Sequence, residues 1–301
     1  MAILIGFDTR MLTLDHLNAC DSTVFVAALG DVFEHAPWVA EAIVAKRPFA
    51  TVAAVHDAMM TAVRTTPTDQ QQTFIRAHPE LGLKVQRADL TADSKAEQGS
   101  LGLDRLSDTE FQRFHALNAA YRQRFGFPFI ICVRRHTRDS ILANFERRQS
   151  RTPDAERAAA LDEIALITRL RLVAKVDGPG APKTAGRLST HVLDTQIGKP
   201  ATGVKIELTE IGASARGLLA SAITNTDGRT DQPLIGGMPL RVGTYELTFH
   251  IGDYFRARGV SLAEPAFLDV IPLRFSIAEP EGHYHVPLLV TPWTYSTYRG
   301  S

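Results

Sequence analysis

The sequence predicts an all-α domain followed by an antiparallel β-sandwich, and three observations carry that expectation. Residues 1–176 contain 6 Gly and 6 Pro, whereas the 125 residues after them contain 15 and 10. Apolar residues recur at helical spacing before this break and alternate with period two after it. Between the two lies Asp177-Gly-Pro-Gly-Ala-Pro-Lys-Thr-Ala-Gly186, whose Gly and Pro content excludes regular structure. The expected organisation is a helical domain over 1–176, a linker over 177–186 reaching at most ~35 Å when extended, and a sandwich over 187–301.

The 301 residues, 45% hydrophobic and 22% charged, suffice for two independent cores. Net charge is zero, and each part is neutral by itself, with 22 basic against 21 acidic residues before the break and 11 against 12 after it. No broad basic field exists, so nucleic acid and anionic membrane surfaces are not expected partners. The first apolar run, Ala2 to Phe7, is too short for a secretory signal, and no stretch approaches the ~20 apolar residues of a membrane span. With only Cys20 and Cys132, a disulfide framework and a Cys-rich metal site are excluded. A reduced, cytoplasmic setting is expected.

In the first part, Ser107-x-x-Glu110 is a capping-box pattern, and Phe111, Phe114, Tyr121 and Phe125 follow on one helical face. Further helices are expected over Thr23–Phe33, Phe49–Thr65, Asp69–Arg76, Arg138–Arg148 and Pro153–Val176. In the second part, Val204, Ile206 and Leu208 face one way and Lys205, Glu207 and Thr209 the other. Tyr245, Leu247, Phe249 and Ile251 repeat the alternation, as do Leu273, Phe275 and Ile277. Short strands separated by turns such as Thr226-Asp-Gly-Arg229 imply a sandwich.

Several positions suit chemistry. Pro79 pushes His78 out of the α region at a helix end, where an imidazole with an ordinary pKa near ~6.5 exchanges protons. Ser94-x-x-Glu97 is a second capping-box pattern, and Ser94, Glu97 and Gln98 also crowd hydrogen-bonding groups at a helix N-terminus that favours an anion. Phe125 to Arg134 reads as a buried apolar segment. In the second part His191 lies on a first strand, and Arg229 projects after a tight turn at Gly228. His283 and His285 share one strand face with Tyr284 on the other, an arrangement open to a metal half-site completed by His191. No carboxylate or Cys pattern accompanies it, so no metal is expected.

The segments HPELG from His78, LTADSKAEQ ending at Gln98, LNAAYRQRFGFPFIICVR ending at Arg134, and RLRL over Arg169 to Leu172 together resemble the 2-oxo-4-hydroxy-4-carboxy-5-ureidoimidazoline (OHCU) decarboxylase family. The resemblance covers essentially all of 1–176. It implies His78 as proton donor, Glu97 as a group fixing the ring, and a pocket lined by Pro79, Ser94, Lys95, Ala96, Gln98, Phe129, Ile130, Ile131, Cys132 and Val133. Arg169 or Arg171 would contact an anionic group. The substrate's conjugated ring accepts the electrons left by decarboxylation, so no cofactor is expected.

LSTHVLDTQIGKPATGVKIEL, TNTDGR, HYHVPLL and the terminal YRGS, in this order from Arg187 onward, resemble 5-hydroxyisourate hydrolase, the enzymatic relative of transthyretin. That resemblance implies a transthyretin-like sandwich and a tetramer with active sites at a dimer interface. His191, Arg229, His285 and Ser301 would be catalytic, with Tyr298 and Arg299 completing the substrate pocket and His283 supporting. The two resemblances imply consecutive reactions, 5-hydroxyisourate to OHCU and OHCU to (S)-allantoin, with these small molecules as the ligands. The alternative is one active domain joined to a non-catalytic binding or oligomerisation module.

Overall fold

The computed structural model describes residues 11–82, 92–99, 101, 107–212 and 216–300, with Ala92, Lys95 and Gln98 described by their backbone. Contacts divide the chain into two units, Met1–Cys132 with Phe145–Lys183, and Val133–Asn144 with Thr184–Ser301.

The first part runs through β1 (Leu12–Thr13), α1 (Leu14–Ala19), α2 (Ser22–Leu29), α3 (Trp38–Ile43), α4 (Val52–Arg64), α5 (Thr68–Arg76), α6 (Ala92–Gly99), α7 (Asp108–Phe125), α8 (Arg138–Arg148) and α9 (Pro153–Lys175), then β2 (Val176–Asp177). The parallel β1–β2 pair is an addition to the expected helices. So are α1 and α3, each of six residues, too short to display a helical period. The helix expected to reach Phe33 stops at Leu29, with Gly30 at its C-cap.

The Ser107 side chain accepts from the Glu110 amide and Glu110 reaches back to Ser107, so the first capping box forms as read. Gly126, at φ 75°, ends α7 in the left-handed conformation that glycine tolerates best. The second pattern does not cap. Helix α6 starts at Ala92, and Ser94 and Glu97 spend their side chains on distant partners instead. At the core, the Phe129 and Phe145 rings stack with centroids 3.7 Å apart. Arg148 lies 4.5 Å over Phe129 and pairs with Glu156, which is wholly buried and also accepts from the Tyr121 hydroxyl. A pair this buried is tolerated because each charge is paired and hydrogen-bonded.

The segment read as a linker makes hydrogen bonds to α4. Pro179 and Gly180 carbonyls accept the Val52 and Ala53 amides, so they cap α4 alongside the Thr51 side chain. A Cβ at Gly178 would lie 2.7 Å from Leu14 Cβ, which explains glycine at that close approach.

The second part is built of β3 (Gly186–Ser189), β4 (Val192–Asp194), β5 (Lys199–Pro200), β6 (Lys205–Ile211), β7 (Arg216–Ile223), β8 (Ile235–Met238), β9 (Gly243–His250), helix α10 (Ile251–Ala257), β10 (Val270–Ile277), β11 (His283–His285), β12 (Leu288–Val290) and β13 (Tyr295–Thr297). One antiparallel sheet has the order β10-β9-β6-β7, and the remaining strands group as β11-β3-β8 and β13-β12-β4-β5. Alternation is as read: Ile206, Leu208, Tyr245, Leu247 and Phe249 are buried against Ile271, Leu288 and Val290. Ile251 is buried too, but it opens α10 rather than ending a strand.

β3 pairs with β11, and β4 with β12, in parallel and in one common register, Ser189 opposite His285 and Val192 opposite Leu288. They are one ladder interrupted at Thr190–His191 and Val286–Pro287, since Pro287 brings no amide donor. This parallel pair within an otherwise antiparallel fold is invisible to period-two patterning. His191 sits at the interruption.

Candidate active sites

In the helical unit, α5 ends at Arg76 and delivers His78 one step beyond its cap residue Ala77. The imidazole is buried, edge-on to the Phe74 ring at 5.1 Å, with Nδ1 3.1 Å from the Phe74 carbonyl. That oxygen only accepts, so Nδ1 carries the proton and Nε2 is the free position of the neutral ring. Burial pushes the pKa down to about 4. The Phe74 hydrogen bond and the Glu34 charge oppose the shift, while Arg171 and His35 reinforce it.

Arg171 of α9 gathers groups from two other segments, α6 and the turn that carries Glu34. Its Nε and Nη2 hold Glu97 at 3.0 and 2.9 Å, Nη2 also reaches Ser94 Oγ at 3.2 Å, and Nη1 holds Glu34 at 2.9 Å. Ser94 Oγ in turn donates to Glu34 at 2.9 Å. Burial works against the Arg171 charge, and Glu97 and Glu34 more than offset it. Between the two arginines left open by the sequence, it is Arg171 that meets Ser94 and Glu97; the charge of Arg169 acts on His56.

The other expected pocket residues divide. Pro79 is half-buried next to His78, whereas Ala96 is exposed, on a different side of α6 from the Ser94–Glu97 pair. Phe129, Ile130, Ile131, Cys132 and Val133 are all buried. The contacts that pin this segment run to Arg148, which donates to the Ile130 carbonyl at 2.8 Å, and to Glu163, which accepts the Cys132 amide at 2.8 Å. The Lys95 and Gln98 side chains lie outside the described residues. Glu34 escaped sequence reasoning, since a single acidic residue in a short turn has no periodic or motif signal.

In the sandwich unit, the turn after β7 is pressed against His191. Gly228, at φ 69°, leaves only 3.0 Å between a would-be Cβ and His191 Cδ2, and its carbonyl accepts the Val192 amide. That close approach brings Arg229 into a β-bridge with His191. His191 Nε2 is buried without a hydrogen-bond partner, an acceptor or donor held in reserve. Across the ladder, Ser189 Oγ sits 3.0 Å from His285 Nδ1 and 3.1 Å from His283 Nε2. Ser189 was missed as well, because only the register places it opposite His285.

The His191 and His285 pKa values are both lowered, by burial first and by the Arg229 charge second. For His285 the neighbouring His191, His283 and Arg187 add to the effect. Both rings are therefore neutral near pH 7, able to accept a proton, beside a guanidinium that stays charged. Among the described residues, no group of three or more His, Cys, Asp or Glu is arranged to hold a metal.

The C-terminal segment is ordered onto this cluster. β13 pairs with β12, and the Gly300 amide donates to the His285 carbonyl at 2.8 Å. Tyr298 is exposed. Arg299 stacks 4.5 Å over Tyr284, whose ring is on the opposite strand face from His285, so its guanidinium is turned away from the histidines. Ser301 lies outside the described residues.

These two sites coincide with two known families. The OHCU decarboxylase family matches residues 18–173, and the HIUase/transthyretin family matches residues 188–300. The 5-hydroxyisourate hydrolase 2 of Rhizobium meliloti (strain 1021) is 58% identical over 117 residues, covering 39% of this chain and 98% of the relative. The 2-oxo-4-hydroxy-4-carboxy-5-ureidoimidazoline decarboxylase of Haloferax volcanii is 43% identical over 161 residues, covering 54% of this chain and 94% of the relative. A crystal structure of (S)-allantoin synthase superposes with a TM-score of 0.53 at 37% identity, covering 96% of this chain and all of the other. The chain belongs to the OHCU decarboxylase family through its helical part and to the HIUase/transthyretin family through its sandwich part, a fusion of the two enzyme domains.

Proposed function

We propose that the chain converts 5-hydroxyisourate to OHCU in the sandwich and OHCU to (S)-allantoin in the helical part. The observation that carries this reading is the pairing in one chain of two neutral histidines around a charged Arg229 with a second, His–Glu–Arg cluster, each in the family that performs one of two consecutive steps.

Opening the cyclic C–N bond requires an activated water, stabilisation of the developing oxyanion and a proton for the departing nitrogen. A neutral histidine takes the water proton, Arg229 faces the oxyanion, and the imidazolium returns the proton to nitrogen. The hydrogen bond from the Gly300 amide to the His285 carbonyl supports a substrate-binding role for the C-terminal segment. In the second step the C–CO2 bond breaks, its electron pair enters the conjugated ring, and one proton is delivered to carbon on one face. His78 supplies that proton through Nε2. The substrate's own carboxylate raises the proton affinity of the ring as it binds. Pro79, the α6 segment Ser94 to Gln98 and the buried run Phe129 to Val133 shape the pocket, and Arg171 holds Glu97 in position to orient the ring.

The sandwich assembles as a tetramer, for which the exposed Trp293, Tyr295 and Tyr298 near the C-terminus offer apolar surface. The protein works in the cytoplasm. A content of only two cysteines, Cys20 and Cys132, accords with a reduced compartment, and no described helix is long and apolar enough to cross a membrane. Deleting Tyr298 to Ser301 tests the division of labour: hydrolysis is lost and decarboxylation of supplied OHCU continues. Full hydrolysis by the truncated chain refutes the shared site.

A further inference from the structure

Glu34 has no part in the reaction as described so far, yet it is the most buried carboxylate of the helical site, with its side chain 1% exposed. Burying a carboxylate is costly unless it is paired, and Arg171 is already engaged bidentately by Glu97. Glu34 shares that guanidinium and also stands 4.0 Å from the His35 Nε2. A fold seeking only stability gains more from an apolar side chain in such a place. The next residue, His35, stands at φ 50°, a left-handed conformation rare for a residue with a side chain and typical of functional turns. The turn is anchored on the His78 segment: the Phe33 and Trp38 rings pack 6.2 and 6.1 Å from Phe74, the ring that meets His78.

We propose that Glu34 is a positioning residue of the decarboxylation: its carboxylate ties Ser94 to Arg171 and keeps a negative charge beside the His78 imidazole. This rests on the proposed decarboxylation. Among the described residues, Glu34 and the Phe74 carbonyl favour the protonated form of His78, and Arg171 and His35 oppose it. Burial leaves the resting ring neutral, whereas a donor needs a proton. Among the described side chains, Glu34 is the one whose charge draws the proton to the ring, and together with the incoming substrate carboxylate it makes His78 the donor. Glu97 acts from the far side of the same guanidinium and orients the substrate.

The test uses the full chain, supplied OHCU, and kcat and KM measured across pH for the wild type, Glu34→Gln and Glu34→Asp. Glu34→Gln keeps the shape and removes the charge. It lowers kcat near neutral pH on the order of 10²-fold with KM nearly unchanged, and shifts the decline of kcat at rising pH to lower pH, so that acidification restores part of the rate. Glu34→Asp keeps the charge and leaves that decline where the wild type has it. Far-UV circular dichroism and undiminished 5-hydroxyisourate hydrolysis report an intact chain. A Gln variant with wild-type kcat and profile, or one slowed by the same factor at every pH, overturns the proposal. If Glu34→Gln loses its helical signal, Glu34→Asp decides, and a displaced decline in that variant overturns it. A wild type that leaves OHCU untouched refutes the decarboxylase reading itself, an outcome separate from both.

Discussion

Gly300→Ala adds one methyl group where the hydrolase site has no room for it. A Cβ at this position lies 2.8 Å from His285 Cδ2, 3.2 Å from its Cβ and 3.3 Å from its Cγ. Carbon atoms settle at roughly 3.5–4.0 Å, so ring and tail must separate by about 0.7 Å or more. Neither moves freely. The tail is hydrogen-bonded through the Gly300 amide and the β12–β13 ladder, and the ring is held through Nδ1 at Ser189. Displacing a group that acts on the reacting atoms by ~1 Å costs about 10²-fold in rate, or ~2.7 kcal/mol of transition-state stabilisation. Hydrolysis of freshly generated 5-hydroxyisourate, followed by its absorbance, should therefore lose roughly 10- to 10²-fold in kcat. Global stability should change by less than ~1 kcal/mol, because the clash lies at the end of the chain. Decarboxylation serves as the internal control and stays at the wild-type rate. A Gly300→Ala chain that hydrolyses at full speed refutes the placement of the C-terminal segment against His285.

His78→Ala should stop enzymatic CO2 release from OHCU while preserving helical circular dichroism and 5-hydroxyisourate hydrolysis; sustained turnover contradicts the donor role. The same histidine sets an acid sensitivity. Its folded pKa of about 4 lies below the unfolded value near ~6.5, so the unfolded chain binds the proton first and stability present above pH ~6.5 is lost as pH falls toward about 4. The loss is about 3 kcal/mol by linkage, and urea melts should show this slope for the wild type and a flatter one for His78→Ala. Hydrolysis should keep its rate through neutral pH and decline only below ~6.5, because His191 and His285 are both lowered and act as neutral bases; a maximum on the acid side would contradict this. Arg148→Ala should destabilise the helical unit by roughly 3–5 kcal/mol, since it strands the buried Glu156; a melting curve unchanged from the wild type would remove that pair from the account.

Local signals in the sequence translated directly into structure where the physics is local. The Ser107–Glu110 box and the alternation of Val204, Ile206 and Leu208 depend on neighbours a few residues apart, and both formed as read. Ser94-x-x-Glu97 obeys the same local rule, yet tertiary partners outcompeted it: a buried guanidinium offers Glu97 two charge-assisted bonds, more than an exposed amide provides. Glu34 and Ser189 were illegible for a related reason. Each becomes significant only through a partner far along the chain, Arg171 for one and His285 for the other. The interrupted parallel ladder follows the same logic, since a period-two pattern states which face is buried but not which strand lies alongside. The composition of the linker reports backbone freedom and carries no sign that Pro179 and Gly180 meet the unfilled amides of a helix start.

The central claim is that one chain carries both reactions in sequence, and the most direct test is the handedness of the final product. Freshly generated 5-hydroxyisourate is supplied to the full chain and allantoin is followed by circular dichroism. The account predicts rapid loss of 5-hydroxyisourate and accumulation of the (S)-enantiomer without added enzyme; slow formation of racemic allantoin would contradict it.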